Sequence, residues 1–415
     1  MATKEQQKAW RERKKAGLII PCPKCGGKNN NNLCESFSFC RKCWLQTPEG
    51  KAYNQDYVAR SVEKFDKVTE AKRIASKYSD ELGFVNRAAL EESEAKGGLE
   101  VIQGVGFAHF HHRKDGQTTI YSLAVLPEHL KQGWGRLLFY RVLCSAVEKR
   151  CDRVVAKCPE NLASNSFYQH LGFTLTEVEP GKKRRLNRWE YRFKLPLLFY
   201  CGTGGASQHD QTGVEEGWLM GLRSNGKNKD HWHMAMIDNE WGAAYRHEQH
   251  LAMVKRNKPI IATVKDIEHV NQLPEALKQA RELAQYCGRV ILIPKVKTWL
   301  PDRYWLGYSI PTGHGGTDIE CDWFGDRFVH LLGGSPDDQA KFAKQLNVVS
   351  LDANYAMGLA DHGKSSWQGC SSGVKVAQGC YPSMKVSFQK QKEYWHGTRH
   401  QPWANDPLFS HNYVL

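Results

Sequence analysis

The chain has 415 residues, of which 41% are hydrophobic and 11% aromatic, and it carries 58 Lys and Arg against 44 Asp and Glu. This composition excludes a disordered tail, a collagen-like fibre and a coiled coil, and the length allows roughly two to four domains. No apolar run approaches the roughly 18 residues that a membrane span needs, and the N-terminus lacks the apolar segment of a signal peptide. We expect a cytoplasmic protein with no membrane partner, and the sequence predicts no oligomeric state.

The excess positive charge is concentrated in two places. The net charge is +14, and residues 1–60 alone contribute +7. A second cluster consists of Lys182, Lys183, Arg184, Arg185 and Arg188. Local surpluses of this kind are typical of proteins that bind an acidic partner, so we expect nucleic acid as a partner.

Five of the thirteen cysteines lie between positions 22 and 43. Cys22 and Cys25 form one C-x2-C pair, and Cys40 and Cys43 form a second pair fourteen residues later. Two such turns can place four thiolates around one tetrahedral Zn²⁺, which leaves no position for water. The spacing therefore predicts a structural zinc ion, and Cys34, between the pairs, could replace one of the four ligands.

This cysteine-rich segment resembles the zinc ribbons of DNA primases and related nucleic-acid enzymes. The resemblance covers about twenty-five residues, including the aromatic residues Phe37, Phe39 and Trp44 near the second pair. The resemblance, together with the basic residues around the cysteines, favours contact with phosphates of nucleic acid over the alternative of protein binding. The basic residues are Lys24, Lys28, Arg41 and Lys42.

The middle segment alternates helical and strand patterns. A strand that ends near Val125 runs into a glycine-containing loop, after which residues 137–149 are helical. The free backbone N–H groups at such a helix start suit a pyrophosphate. The other predicted elements are a helix over 65–80, strands over 105–111, 119–125 and 154–156, and a helix over 161–168.

Two motifs in this segment, "SLAVLPEHLKQGWGRLL" and "NLASNSFYQHLGF", resemble the pyrophosphate loop and the Asn…Tyr…Gly-Phe signature of the GCN5-related N-acetyltransferases (GNAT). The resemblance covers about 130 residues and implies a mixed α/β domain that uses acetyl-CoA. It implies that Asn161 contacts the pantetheine arm and that Tyr168 protonates the leaving thiolate. The chain departs from the family pattern at Leu130, where Arg or Gln is usual. The residues implied to hold the rest of the cofactor are Val125, Lys131, Gln132, Gly133, Trp134, Gly135 and Arg136.

Acetyl transfer to an amine also requires a base, because the amine must lose a proton before it attacks the thioester. His109, His111 and His112 lie on the appropriate strand with alternating faces, and one of them could serve. Nothing in this segment identifies the amine.

The C-terminal segment contains short apolar runs that alternate with helical stretches. Continuous apolar strands of this kind predict a parallel sheet that is covered on both faces. Seven runs in about 219 residues favour a (β/α)8 barrel, with an open doubly wound sheet as the alternative. The predicted strands are 198–201, 233–237, 260–264, 290–293, 305–310, 328–332 and 348–351.

The residues that follow these strands resemble those of the tRNA-guanine transglycosylase family and its DNA-acting relatives. The resemblance lies in "MIDNEWG", "VHLLGGSPDDQ" and "VVSLDANYA". It implies that Asp352 attacks the sugar C1′ and that Asp238 acts as the acid/base or second aspartate. It further implies that Asp266 contacts the base and that Gly333 and Gly334 line the base pocket.

We therefore predict a multidomain α/β protein with a basic leader and zinc ribbon over 1–55, a GNAT domain over 56–196 and a barrel with a basic aromatic tail over 197–415. The predicted function is modification of a nucleic-acid base, with DNA as the first expectation and tRNA as the alternative, and with acetyl-CoA and structural Zn²⁺ as cofactors. Such an enzyme would suit a phage or defence system, and a phage-encoded one would act in the host cytoplasm. The alternative is a GNAT enzyme that acetylates a protein or small-molecule amine, with flanking domains that only bind.

Overall fold

The computed structural model describes residues 41–62, 65–82, 84–181, 184–202, 207–224, 232–239, 245–313, 315–363, 365–369, 374–375 and 379–397. The chain divides into two compact units. The smaller unit comprises residues 1–64 and 267–278, and the larger unit comprises residues 65–266 and 279–415. No helix in the described ranges is long and apolar enough to cross a membrane.

In the smaller unit, the described helices are α1 (Arg41–Trp44) and α2 (Pro48–Val62). The ring of Trp44, which is buried, lies 5.2 Å from that of Tyr53 on α2.

The larger unit begins with helices that cover one face of a mixed sheet. Two of these helices, α3 (Lys67–Ala75) and α5 (Arg87–Ala95), directly follow Asp66 and Asn86. The side chains of these two N-cap residues accept hydrogen bonds from Thr69 N and Ala88 N. The six strands have the order β1-β2-β3-β4-β6-β5, and only the β3–β4 pair is parallel. The elements are α3 (Lys67–Ala75), α4 (Ser79–Leu82), α5 (Arg87–Ala95), β1 (Leu99–Ile102), β2 (Gly106–His112), β3 (Gln117–Val125), α6 (Trp134–Glu148), β4 (Arg153–Pro159), α7 (Ser164–His170), β5 (Thr174–Glu179) and β6 (Leu186–Arg192).

A closed barrel of eight parallel strands follows the sheet. The strands are adjacent in chain order, and β14 pairs with β7 to close the barrel. Every residue of β14 is buried, as expected for a parallel strand covered on both faces. The strands are β7 (Leu197–Cys201), β8 (Leu219–Arg223), β9 (Met236–Asp238), β10 (Ile261–Thr263), β11 (Arg289–Leu292), β12 (Trp305–Ser309), β13 (Val329–Leu332) and β14 (Val348–Ala353). The helices are α8 (Gln208–Glu215), α9 (His247–Asn257), α10 (Leu273–Ala284), α11 (Pro336–Ala343), α12 (Tyr355–Gly363) and α13 (Cys380–His396), and a short hairpin consists of β15 (Ser365–Ser366) and β16 (Val374–Lys375).

Helix α6 joins the sheet and the barrel into one core. Its residues 137–140 and 142–147 are all buried, which is the pattern of a helix that is covered on every side. One side packs on the sheet, and the other packs against residues that precede or begin the barrel strands. Gly288 permits this approach, because a Cβ there would lie 3.1 Å from the sulfur of Cys144 and 3.2 Å from the carbonyl oxygen of Tyr140.

Polar contacts reinforce the junction at the end of α6. The Glu148 carboxylate accepts hydrogen bonds from Arg289 Nε at 2.7 Å and from Trp305 Nε1 at 2.9 Å. Arg141 donates to the carbonyl oxygen of Ala284 at 2.8 Å. These barrel residues lie at the amino ends of β11 and β12 or just before β11. The carboxyl ends of the barrel strands, and the loops that follow them, therefore lie at the end of the barrel away from this junction.

The mixed sheet and the closed barrel confirm the fold class predicted for residues beyond 56, and they decide between the barrel and the open doubly wound sheet. The sheet ends at Arg192 and the barrel begins at Leu197. The sequence missed strand β8, so the barrel has eight strands where seven runs were expected. The helix expected over 161–168 begins only at Ser164, because Asn165 donates to the carbonyl oxygens of Pro159 and Leu162 and holds the preceding residues in a loop.

Candidate functional site

The sheet opens between β3 and β4. Their parallel register ends at the pair Ile120 and Ala156, although β3 continues to Val125 and β4 to Pro159. The register of β2 with β3 also shifts at this point, since His109 pairs with Ser122 and the next residue pairs with Ile120. The backbone of residues 121–125 therefore faces β2 on one side and has no strand partner among the described residues on the other.

The loop that follows β3 leads to the N-terminus of α6, close to the open edge of the sheet. Gly133 precedes the helix with φ +81°, a left-handed conformation that favours glycine. The first helical hydrogen bond runs from Leu137 N to the carbonyl oxygen of Gly133. The N–H groups of residues 134–136 in the first turn thus have no acceptor within the helix, and they suit an anion.

Gly135 has a different role in the same loop. A Cβ at this position would lie 3.0 Å from the ring of Phe167 on α7, so a larger residue would push this ring away from α6. Gln132 makes local contacts, because its amide donates to the carbonyl oxygen of Glu128 and accepts from Trp134 Nε1. Lys131 is exposed and has φ +59°.

Two cations lie over this loop, and one of them comes from the barrel. A Cβ built on Gly133 would lie 3.4 Å from the Arg136 guanidinium and 3.5 Å from Lys258 Cδ. Lys258 Nζ sits 4.5 Å from the centre of the Trp134 ring, and burial together with Arg136 lowers the pKa of Lys258. Arg136 donates to the carbonyl oxygen of Asn257, and its buried Nε has no partner among the described residues. Neither cation pairs with a carboxylate in the described part of the chain, which leaves their charge available to an anion.

The two residues implied to act at the reacting end lie on the β4 side of the open edge. Asn161 is exposed in the loop after β4. Tyr168 on α7 is buried, its ring packs edge-on against Phe173 and stacks on Trp189, and burial raises its pKa. The phenol therefore stays protonated at neutral pH, as a proton donor must.

A cleft of about 500 Å³ lies between α5, the loop before it and the adjacent part of β2 and β3. His109 and His111 line the cleft, and Phe84 and Tyr121, which are 87% and 58% exposed, flank it. His109 Nε2 lies 2.9 Å from Ser93 Oγ, and burial lowers the pKa of His109. The other lining residues are Leu82, Val85, Asn86, Ala89, Glu92, Ser93, Lys96 and Ser122.

His112, the third candidate base, does not line the cleft and contacts Thr118 and Ser145 instead. Its Nδ1 lies 2.9 Å from Thr118 Oγ1 and its Nε2 lies 3.0 Å from Ser145 Oγ on α6. Burial lowers its pKa to about 4. Since both ring nitrogens are engaged inside the core, His112 has a structural role, and the choice of base narrows to His109 and His111.

A second group of functional side chains lies at the carboxyl end of the barrel. Asp238 ends β9 and Asp352 lies near the end of β14. Burial is the main cause that raises the pKa of Asp238 to about 7, and the charge of Asp352 contributes to it. Thr263 Oγ1 opposes the shift by donating to Asp238 Oδ1 at 2.7 Å. The two aspartates therefore interact electrostatically at the same end of the barrel, and Asp238 is the one whose pKa lies near neutrality.

Asp352 is held by a histidine that the sequence did not single out and by the backbone of Gly333. His330 is fully buried on β13, with Nδ1 2.8 Å from Ser350 Oγ and Nε2 3.2 Å from Asp352 Oδ1. Gly333 N donates to the same oxygen at 3.3 Å, and Gly333 has φ +65°. Gly334 follows at φ +78°, and a Cβ there would lie 2.8 Å from Ile310. Gly333 therefore positions the aspartate through its backbone.

Three further residues complete this end of the barrel. Asp266 contributes to the raised pKa of Asp238 and lies 3.4 Å from Lys295 Nζ. Cys201, at the end of β7, hydrogen-bonds to Asp352, and burial together with both aspartates raises its pKa. Arg223 at the end of β8 acts in the opposite direction on Cys201 and Asp238. This end of the barrel therefore carries a cluster of acidic side chains with the Arg223 guanidinium nearby.

The predicted zinc ligands Cys22, Cys25 and Cys40 lie outside the described residues. Cys43 is described and is buried in α1. The zinc ribbon and the partner that it binds therefore stay predictions.

Two known families match the chain, one in the region of the mixed sheet and the other in the region of the barrel. Residues 62–173 match the acetyltransferase (GNAT) family, and residues 213–396 match a family of unknown function, DUF6610. No curated protein matches the chain. Residues 62–173 thus form a GNAT acetyltransferase domain, and this match supports acyltransferase activity.

Among solved structures, the chain is similar to Ard1 from Thermoplasma volcanium, with 18% identity and a TM-score of 0.28 over 31% of this chain and 95% of that one. It is similar to a ribosomal-protein-alanine N-acetyltransferase from Brucella melitensis, with 17% identity and a TM-score of 0.26 over 31% and 98%. It is also similar to yncA from Salmonella typhimurium, solved with its cofactor acetyl-CoA, with 21% identity and a TM-score of 0.26 over 31% and 91%. These likenesses are low, and the assignment of the domain depends on the family match.

Proposed function

We propose that the chain transfers an acetyl group from acetyl-CoA to an amine bound in the cleft beside α5. One observation carries this proposal. The residues that match the GNAT family contain an open strand edge, and this edge leads to a helix N-terminus whose N–H groups have no acceptor within the helix. The free N–H groups of residues 134–136 hold the pyrophosphate, and the open strand edge of residues 121–125 holds the pantetheine arm. The Val125 carbonyl oxygen on this strand already accepts from the Tyr78 hydroxyl. Val125 lies where this edge meets the loop.

The reaction follows from the side chains at the two ends of the open edge. His109 or His111 removes a proton from the ammonium group of the acceptor, and the free amine attacks the thioester carbonyl carbon. The C–S bond then breaks, and the phenol of Tyr168 gives its proton to the departing thiolate of CoA. The second proton of the attacking nitrogen is released to solvent, and solvent reprotonates the Tyr168 phenolate. Asn161 positions the pantetheine amide. The products are an acetylated amine and CoA.

The first experiment separates binding from chemistry. The full chain is titrated with CoA by calorimetry, and release of free thiol from acetyl-CoA is measured with a panel of amines. In Gly135→Leu the side chain meets Phe167, so we expect CoA binding to be lost, whereas Gly358→Ala, on α12 where a Cβ meets nothing within 4 Å, should bind normally. Absence of CoA binding by the unaltered chain would contradict the proposed activity.

For the acceptor, we infer a nucleic-acid base that carries an amine, with the barrel binding or exchanging that base. Two observations support this finer proposal. The exposed rings of Phe84 and Tyr121 flank the acceptor cleft and could stack on a base. In the barrel, Asp352 would be the nucleophile at the sugar C1′ and Asp238, with its raised pKa, the acid/base. Asp266 would contact the base, and the loop at Gly333 and Gly334 would border it.

Mass spectrometry of digested nucleosides tests the acceptor. DNA or tRNA is incubated with the chain and acetyl-CoA, and an acetylated or exchanged base is expected. Asp352→Ala should abolish base exchange and leave CoA binding intact, while unchanged exchange by this variant would show that Asp352 is not the nucleophile. If no nucleoside changes and a protein or small-molecule amine is acetylated instead, the flanking segments serve only for binding.

A further inference from the structure

Three potential metal ligands from three different helices meet on the outside of the barrel. His209 lies on α8, Asp361 on α12, and Cys380 is the first residue of α13. The His209 Nε2 atom is 2.9 Å from Asp361 Oδ1, the Cys380 sulfur is 3.0 Å from the same oxygen, and the sulfur is 3.8 Å from His209 Nε2. Separate parts of the sequence thus bring a nitrogen, an oxygen and a sulfur together.

We propose that His209, Asp361 and Cys380 bind a divalent transition metal ion, with Zn²⁺ as the best match. Zinc binds sulfur at about 2.3 Å and nitrogen or oxygen at about 2.0–2.1 Å in a tetrahedron, which places neighbouring ligand atoms about 3.3–3.6 Å apart. The three observed separations of 2.9, 3.0 and 3.8 Å differ from that range by a few tenths of an ångström. Small side-chain movements would therefore admit the ion.

The kinds of ligand select among metals. Imidazole and thiolate suit zinc and other borderline or soft ions, whereas Mg²⁺ and Ca²⁺ prefer oxygen ligands. A single carboxylate with one imidazole and one thiol does not make an oxygen cage. The chemistry of the cluster therefore points to zinc rather than to an alkaline-earth ion.

The surrounding packing fixes the ligands and leaves a path for the ion. The ring of Tyr381 packs edge-on against His209 with centroids 5.1 Å apart, and Phe388 on the same helix is buried against Tyr200 and Trp218. The side chains of His209 and Asp361 are 22% and 39% exposed, so the ion can enter from solvent. Metal binding here would fasten α13 to α8 and α12. Three protein ligands also leave a fourth position for water or another group.

Metal analysis of the full chain tests the site. Because the cysteine pairs near the N-terminus are also expected to bind zinc, Cys22→Ser and Cys25→Ser are combined as the background. We expect about one equivalent of zinc in this background, because the three ligands surround a single ion, and loss of it on adding Cys380→Ser. Cys158→Ser, which alters a cysteine in the sheet, serves as the matched control and should retain the zinc. With Co²⁺ in place of zinc, Cys380→His should keep the metal but lose the absorption band of a thiolate ligand.

Alkylation of the unaltered chain provides a measurement that depends on no substitution. The Cys380 thiol should resist iodoacetamide in the presence of zinc and react after a chelator is added, as read by peptide mass spectrometry. The proposal is overturned if the background chain binds no metal, if Cys380→Ser retains the metal, or if Cys380 reacts equally with and without chelator. None of these outcomes depends on acetyl transfer.

Discussion

Replacement of Asp238 by Asn should make the protein more stable at alkaline pH. The pKa of this carboxyl is raised from 3.8 to about 7, mainly by burial and further by Asp352. The folded chain therefore keeps a proton that the unfolded chain releases between about pH 4 and pH 7. The corresponding stabilisation is fully present below about pH 4 and is lost as the pH rises to 7.

The shift of about three pKa units corresponds to about 4 kcal/mol at 1.36 kcal/mol per unit. Asp238 is only partly buried, so we expect about 2–4 kcal/mol. Asn cannot ionise, and its oxygen can still accept from the Thr263 hydroxyl and from Asn239 N. At pH 8, Asp238→Asn should therefore raise the free energy of unfolding by about 2–4 kcal/mol, whereas near pH 4 the two proteins should be nearly equal.

Urea unfolding at intervals between pH 4.5 and 8 measures the difference. Titrating groups that do not interact with Asp238 affect both proteins alike, so the difference between the two curves isolates position 238 and the groups coupled to it. Asp326→Asn, at an exposed loop position, is the control and should follow the unaltered protein at every pH. If the free energy of unfolding changed with pH in the same way for Asp238→Asn and the unaltered protein, Asp238 would be ionised in the folded state at neutral pH. The acid/base role of Asp238 would then be wrong.

Three further substitutions test the remaining contacts. Lys258→Met should weaken CoA binding about 10-fold or more, because a hydrogen bond to a charged group contributes about 1.5–3 kcal/mol, whereas the exposed neighbour Lys255→Met should change the calorimetric Kd by less than about 3-fold. Glu148→Gln should lower the free energy of unfolding in urea by about 2–4 kcal/mol, since it leaves the Arg289 guanidinium only partly compensated; an unchanged midpoint would contradict this. Tyr168→Phe should reduce kcat at least about 10-fold with an unchanged Kd for CoA, and an equal kcat would exclude the phenol as the proton donor.

The sequence predicts most of the fold because its parallel strands are continuous apolar runs. Strand β8, with the sequence LMGLR, escaped detection because Gly221 interrupts a short run that ends in an arginine. A Cβ at Gly221 would lie 2.6 Å from the sulfur of Cys201, so the glycine is needed for packing between neighbouring strands. A residue that hides a strand from pattern analysis is thus one that the barrel requires.

The candidate sites are predictable to a lesser degree. The glycine loop before α6 and the aspartates after β9 and within β14 can be located, because strand ends in such folds carry function. His330 and Lys258 could not be found this way. His330 is one histidine within an apolar strand, and the relation of Lys258 to the loop at Gly133 depends on how the barrel packs against α6. Such contacts join residues that are far apart in the chain, and no local pattern reports them.

The burial of α6 on both sides limits how this protein could be divided. A cut between Arg192 and Leu197, where the sheet ends and the barrel begins, would separate the strands cleanly but expose one side of an apolar helix and the strand ends that it covers. Each half would then expose an apolar surface to solvent and tend to aggregate. A shortened protein made to study acetyl transfer alone would need new polar residues on the exposed side of α6, such as at Cys144. Recombination that exchanged either half for another domain would meet the same obstacle.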